Sequence, residues 1–332
     1  MSKTDVLKSI RELAGSVFEN SIDYEKGKYG LDEIYNHFQK ITSITGFDSR
    51  IENLAAVPTA KGKALGLNYA AQCLLDYKRT LKFIKAIVLA ITKKLNENPE
   101  KEVRVFYAGC GPYATFLTLI APLFQANQVQ FSLLEINKNS VVSAKKLIDS
   151  LDLSDYLIEF HIGDAVTFKV PDSDSYDIVI SETLDALLYR ECYVPILVNL
   201  LPQFRNDVLL LPENVLIDLS FSSSSDSKSE VKELKMGNAF NVREAISALP
   251  ISESIPAEFP EKKIDLTNVN LDTFEKLFLD TRVKIYQDIW LERNESSLTV
   301  PFESILQKPN DSNSITFTYQ MEPEIELKCK FE

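Results

Sequence analysis

Histidine is nearly absent from this chain: His37 and His161 are the only two in 332 residues, which all but excludes catalytic schemes built on several imidazoles. The four cysteines, Cys73, Cys110, Cys192 and Cys329, lie far apart with no Cys-x-x-Cys pair, which argues against a zinc site and against a disulfide framework. Long apolar runs are missing too. Stretches such as Ile87–Ile91 and Val208–Leu211 fall far short of the roughly 20 residues that a membrane-spanning helix needs, so no such helix is expected. The first residues, Met1–Glu12, mix charged with apolar side chains and lack the apolar centre of a secretory signal, which makes a cytoplasmic location the expectation. Basic residues are also in deficit. With 36 Lys and Arg against 48 Asp and Glu, the net charge of -12 works against nucleic-acid binding, which rests on cations meeting phosphates. The same field would favour a cationic substrate or partner, although an acidic surface also serves solubility alone.

What is present is a globular composition, long enough for one large domain or two ordinary ones. Up to about Asn98, apolar residues fall at helical spacing, as in Leu75, Leu81, Phe83, Ile84, Ile87, Val88 and Ile91, which predicts several helices. From Val103 the pattern changes to short apolar runs alternating with amphipathic segments. The runs are Val103–Tyr107, Gln130–Leu134, Ile158–Ile162, Asp177–Ile180, Val208–Leu211 and Val215–Phe221, and such alternation predicts a parallel sheet covered by helices. Ser220–Ser229 is polar and predicts an exposed loop or boundary. Beyond it a helix is expected around Leu271–Leu279, then strands in Arg282–Leu291, Leu298–Phe302, Ser314–Tyr319 and Ile325–Phe331. The expected division is a helical region at 1–98, an α/β Rossmann-like domain at 99–221 and an antiparallel β domain at 222–332.

The chemistry concentrates where the first strand ends. Tyr107-Ala108-Gly109-Cys110-Gly111-Pro112 places two glycines directly after Val103–Tyr107 and before a helical pattern opening at Ala114. Glycines there permit a tight turn and close approach of backbone to a ligand, and the next helix offers free N–H groups. About 20 residues on, the second strand ends in Glu135, where a carboxylate can grip a ribose diol. The third strand runs into Gly163-Asp164-Ala165, and Asp164 can accept from an exocyclic amine or close an Asx turn. The usual nicotinamide-binding turn has glycine at position 114, which is Ala114; that turn tolerates alanine, so a nicotinamide oxidoreductase stays a further alternative.

Over about Glu102–Phe221, this order of strand, Gly-x-Gly, strand ending in Glu, Gly-Asp and a polar fourth-strand end resembles the class I S-adenosylmethionine-dependent methyltransferases. The resemblance implies S-adenosylmethionine as cofactor, held by Tyr107, Ala108, Gly109, Gly111, Pro112, Glu135, Asp164, Ala165 and Glu182. The next segment, Ser181-Glu182-Thr183-Leu184-Asp185-Ala186-Leu187-Leu188-Tyr189-Arg190-Glu191, carries a glutamate at each end. That spacing is similar to the double-glutamate loop of the protein arginine methyltransferases, and it implies Glu182 and Glu191 as the catalytic clamp on a guanidinium. Asp185 between them is a candidate substrate binder, and family members commonly form homodimers. The chemistry is coherent without a metal or a histidine base, since two carboxylates can orient a planar cation and align one nitrogen for in-line attack. Three departures stand out: Thr183-Leu184-Asp185 follows the first glutamate where that family has an aromatic or Met and then Gly, no Tyr-Phe-x-x-Tyr stretch precedes the first strand, and no histidine follows His161, so a Thr-His-Trp loop is missing.

The leading expectation is therefore methyl transfer to a guanidine or amine nitrogen of a protein or peptide. O- or N-methylation of a specialised metabolite or ribosomal peptide is the alternative within the class, and a noncatalytic module binding a nucleotide or a partner is the alternative outside it. Tyr24, Tyr29 and Tyr69 are read as an N-terminal lid or as half-buried aromatics, and His161 as a packed strand residue.

Overall fold

The helical spacing of the first third is realised in α1 (Lys3–Phe18) and α2 (Tyr24–Thr42). In α1 the residues Val6, Ile10, Leu13, Ala14 and Val17 form one buried stripe. Asp23 starts α2 by accepting from Lys26 N at 2.9 Å, which satisfies one of the free donors of the first turn. Then come α3 (Ile51–Leu54), a small hairpin of β1 (Val57–Pro58) and β2 (Lys63–Ala64), α4 (Leu67–Gln72) and the long α5 (Tyr77–Glu97). The computed structural model describes residues 3–44, 50–223, 233–250, 254–306 and 312–332. Among them, no helix is long and apolar enough to cross a membrane.

The middle third builds β3 (Val103–Ala108), α6 (Thr115–Ile120), β4 (Val129–Glu135), α7 (Lys138–Ser150), β5 (Leu157–Ile162), β6 (Ile178–Ser181), α8 (Tyr193–Leu200) and β7 (Leu209–Leu211). The five strands form a parallel sheet in the order β5-β4-β3-β6-β7. Being covered on both faces, β3, β4 and β6 are buried along almost their whole length, as central parallel strands are. Because all five strands point the same way, the turns after β3, β4 and β6 gather at one edge of the sheet, where ligands of open α/β sheets bind.

The last third holds β8 (Asn214–Ser222), β9 (Glu233–Asn241), α9 (Val242–Ser247), β10 (Lys262–Asp265), β11 (Lys276–Tyr286), β12 (Ile289–Leu291), β13 (Phe302–Ile305), β14 (Ser314–Gln320) and β15 (Glu326–Phe331). One antiparallel sheet runs β12-β11-β8-β9 with β13 also on β11, and a second runs β10-β14-β15. Phe240 on β9 stacks on Tyr319 of β14 with ring centroids 4.5 Å apart, joining the two. The β domain meets the N-terminal helices along α5, where Lys82 Nζ donates to Trp290 O at 2.7 Å. Trp290 itself is half-buried beneath the Arg282 guanidinium, 4.8 Å from its ring centroid.

Three sequence expectations are corrected. Val215–Phe221 is no member of the parallel sheet: as β8 it opens the antiparallel one, pairing with β11 and β9. The helix expected at Leu271–Leu279 is a single 3-10 turn, Leu271–Thr273, followed by β11. Leu271, Phe274 and Phe278 have helical spacing, but β8 and β13 flank the start of β11 on both sides and impose the extended form. The strand expected at Leu298–Phe302 begins only at Phe302, because Ser296 and Thr299 cap each other into the 3-10 turn Ser297–Thr299. Of the polar tract Ser220–Ser229, Ser220–Ser222 lies in β8, and the part from Ser224 on falls outside the described residues.

The turn after β3 depends on Gly109, whose φ of +76° is unfavourable for other residues and whose Cβ, if added, would lie 2.4 Å from Thr183 Cγ2. Gly109→Ala is expected to destabilise the fold by about 1–3 kcal/mol, visible as a lower thermal midpoint by calorimetry. An unchanged midpoint would mean that Thr183 yields without cost.

Candidate functional site

The turn after β3 and the end of β4 are tied to each other before any ligand is considered. Gly109 N donates to Leu134 O at 2.8 Å, Gly111 N donates to Glu135 Oε2 at 2.9 Å, and Asn137 N donates to Glu135 Oε1 at 2.8 Å. Glu135 is 7% exposed; burial pushes its carboxyl up, and the three backbone N–H groups of Asn137, Gly111 and Ile136 pull it back. Its two oxygens accept from these backbone groups and keep acceptor capacity beyond them. Ala114, where α6 begins, sits at φ +42°, in the left-handed region where glycine would be at ease. Asp164, after β5, accepts from Val166 N at 2.9 Å and from Ala60 N at 2.6 Å, so it closes an Asx turn and also holds the β1–β2 hairpin.

These groups border one open cleft. Of the expected cofactor residues, Tyr107, Gly109, Gly111, Glu135, Asp164, Ala165 and Glu182 lie on its wall, and so does Glu191. Ala108 and Pro112 are buried behind the wall, and Asp185 stands off it. Tyr24, Tyr29 and Tyr69 are 41%, 73% and 51% exposed and line no part of it, so no tyrosine lid is formed. His161 is packed between Phe106 and Phe168, and burial lowers its pKa.

Sequence reasoning missed Arg79, which is 5% exposed and on the same wall. It enters from the first turn of α5: its Nη1 lies 3.3 Å from Glu182 Oε1, its Nη2 donates to Cys73 O at 3.1 Å, and its Nε is 3.9 Å from Asp76 Oδ2. Burial opposes the charge on Arg79, but Glu182 and the neighbouring Asp76 raise its pKa further. The only sequence signal was an Asp and an Arg three residues apart before a helical run, which any solvated helix start also shows. Cys73, Cys110 and Cys192 line the cleft as well, and burial raises all three thiols.

The acidic end of the cleft is short of positive charge. Burial pushes Glu182 up to about 7 despite Arg79, and burial pushes Asp185 up to about 7. Glu191 is driven well above the carboxylate range by burial and by the proximity of Asp185 and Glu182. Glu182 Oε1 and Asp185 Oδ1 are buried without a hydrogen-bond partner among the described residues. The loop carrying these groups is held in a strained course: Leu187, Leu188 and Arg190 have φ of +58°, +55° and +78°. Thr281 and Tyr319 of the β domain hold it there, Leu187 N donating to Thr281 Oγ1 at 2.8 Å and Tyr319 OH to Leu188 O at 2.7 Å.

No protein-family model matches the chain. No curated protein matches it by sequence. Among solved structures it is similar to protein arginine methyltransferase 10 of Arabidopsis thaliana in a uniquely open conformation, with a TM-score of 0.52 and 12% identity over 80% of this chain and 93% of that one. The PRMT1 enzyme–prozyme heterotetrameric complex with AdoHcy of Trypanosoma brucei aligns with a TM-score of 0.46 and 12% identity, over 78% of this chain and 96% of that one. The chain thus has the Rossmann-like methyltransferase fold with a C-terminal antiparallel β domain that arginine methyltransferase 10 displays.

Proposed function

We infer that this protein is an S-adenosylmethionine-dependent methyltransferase acting on a nitrogen of a cationic group, a guanidine or an amine, carried by a protein or peptide. The observation that carries this reading is the charge imbalance at the acidic end of the cleft. Glu182 and Glu191 line the cleft with one buried guanidinium, Arg79, which lies 3.3 Å from Glu182 Oε1, while Asp185 stands off the wall with its Oδ1 lacking a hydrogen-bond partner among the described residues. Carboxylates in excess of the buried positive charge favour a guest with several N–H donors and a positive charge.

The other end of the cleft fits the cofactor. Gly111, with no atom within 4 Å of where a Cβ would sit, leaves the backbone open to close approach, and Glu135 retains acceptor capacity for a diol. When bound, S-adenosylmethionine supplies a methyl group on a cationic sulfur that departs as a neutral thioether. The rest of the chemistry is positioning and electrostatics. Arg79 at the junction of the two ends suits a carboxylate of the cofactor as well as Glu182. Glu182 and Glu191 would hold the acceptor so that one nitrogen points its lone pair at the methyl carbon. Glu191, when ionised, is placed to accept the proton that the nitrogen gives up, and its raised pKa makes that carboxylate the stronger base.

The primary test is incubation of the pure protein and methyl-labelled S-adenosylmethionine with cell lysate, followed by hydrolysis and mass spectrometry. Methylarginine or methyllysine is the expected product; label only in base-labile esters or small metabolites would replace the acceptor class, and no label with no cofactor binding would leave a noncatalytic module. Glu135→Ala is expected to weaken S-adenosylmethionine binding about 10- to 100-fold by calorimetry, a loss of roughly 1.5–3 kcal/mol. Glu182→Gln and Glu191→Gln should each lower turnover at least 100-fold, and normal turnover in both would remove the clamp.

A pH dependence follows from Glu182 and Asp185, each pushed up to about 7, against roughly 4 in an unfolded chain. The folded protein keeps protons that the unfolded chain has released between about pH 4 and 7, so stability falls as pH rises through that window. Ionisation through pH 7 has the opposite effect on a cation. Binding of an arginine-containing peptide in the presence of S-adenosylhomocysteine should tighten about tenfold from pH 6 to pH 8 by calorimetry, and a flat profile would contradict the charge argument.

A further inference from the structure

The β1–β2 hairpin has no part in the chemistry above, yet it touches both ends of the cleft. At one end Ala60 N donates to Asp164 Oδ2 at 2.6 Å. At the other, Lys63 N donates to Arg190 O at 3.1 Å, and Lys63 pairs with Glu191 in an isolated parallel bridge. Between these points Gly62, at φ +84°, packs so closely that an added Cβ would lie 2.6 Å from both Arg190 O and Ile325 Cδ1. Lys61 forms an ion pair with Glu322 of the β domain, and the turn is closed by Thr59 Oγ1 donating to Lys61 O at 2.7 Å. A four-residue connection therefore binds the loop after β5, the acidic loop and the β domain together.

Glu191 makes this arrangement consequential. No hydrogen bond or ion pair to its carboxylate is found among the described residues, so its direction is set by its main chain. That main chain is fixed by Arg190 in the left-handed region, by the weak 3.5 Å contact of Glu191 N with Asp185 Oδ2, and by the hairpin. We propose that Ala60 and Lys63 are positioning residues: the hairpin couples occupancy of the cofactor end, through Asp164, to the placement of Glu191 at the acceptor end. This rests on the cofactor reading given above. Its functional content is rigidity, since the hairpin already lies on Asp164 and a ligand that holds Asp164 holds the hairpin, and with it Glu191, in place.

The test is amide hydrogen exchange of the full chain with saturating S-adenosylhomocysteine as the probe. In the wild type, exchange at the amides of Ala60, Lys63, Arg190 and Glu191 should slow at least tenfold. Ala60→Pro deletes the donor to Asp164; at saturating probe it should lose the protection at Arg190 and Glu191, leaving less than threefold. Full protection of those two amides in Ala60→Pro would show that the probe protects them without the hairpin, and protection confined to residues 57–65 in the wild type would show that nothing is transmitted. Either result overturns the proposal. If Ala60→Pro does not fold, Lys61→Ala removes only the ion pair with Glu322 and should reduce the protection at Arg190 and Glu191 about threefold, whereas an undiminished value overturns the coupling. Absence of probe binding to the wild type is a different outcome, which removes the cofactor reading and this proposal with it.

Discussion

Everything at the cleft is arranged around one buried guanidinium. Arg79 is carried by the helix that leads into the parallel sheet, faces the carboxylate that ends β6, and is flanked by Asp76. Asp76 in turn accepts from Ser296 Oγ at 2.7 Å, Ser297 N at 3.0 Å and Ser297 Oγ at 2.8 Å, which fastens a turn of the β domain to the start of α5. Removing one member of a buried ion pair strands the other and costs about 3–5 kcal/mol, whereas the intact pair adds little net stability. The value of Arg79 therefore lies in fixing geometry: three regions far apart in sequence converge on it, and the surplus of carboxylate beyond it defines what the cleft can receive.

How much of this was legible in the sequence depends on whether the signal was local. The Gly109–Gly111 turn could be read because an apolar strand and a helical pattern bracket it, and Glu135 because the strand that carries it ends there. Glu182 and Glu191 announced themselves by spacing within one loop. Arg79, by contrast, owes its role to burial against a residue about a hundred positions away, and no local pattern separates it from the solvated lysines beside it. The hairpin was invisible for the same reason: Ala60 and Lys63 act through main-chain donors, which every residue but proline possesses.

The misread elements fail in a consistent way. Leu271–Leu279 has apolar spacing that suits a helix, and only the flanking strands decide otherwise. Val215–Phe221 is a strand, as its alternation indicates, but the sheet it joins is set by partners more than ten residues away in the chain. Polarity of the Ser296–Thr299 turn matters more than the apolar run after it, since hydroxyls capping backbone donors give that segment a better alternative than extension. Local pattern fixes element type well where burial is two-sided and continuous, as in β3 and β4, and poorly where neighbours arbitrate.

The left-handed residues of the acidic loop carry a consequence for modularity. Leu187, Leu188 and Arg190 each occupy a conformation that non-glycine residues avoid at a cost of about 1–2 kcal/mol apiece, so the loop has no shape of its own. Thr281, Tyr319 and Ile325, all from the β domain, act as the mould that gives it one. The parallel-sheet portion, cut away from its companion, would retain the glycine turn and Glu135 but would let Glu191 relax away from Glu182. The two halves are thus not independent: the second half fixes the course of the acidic loop that borders the cleft of the first.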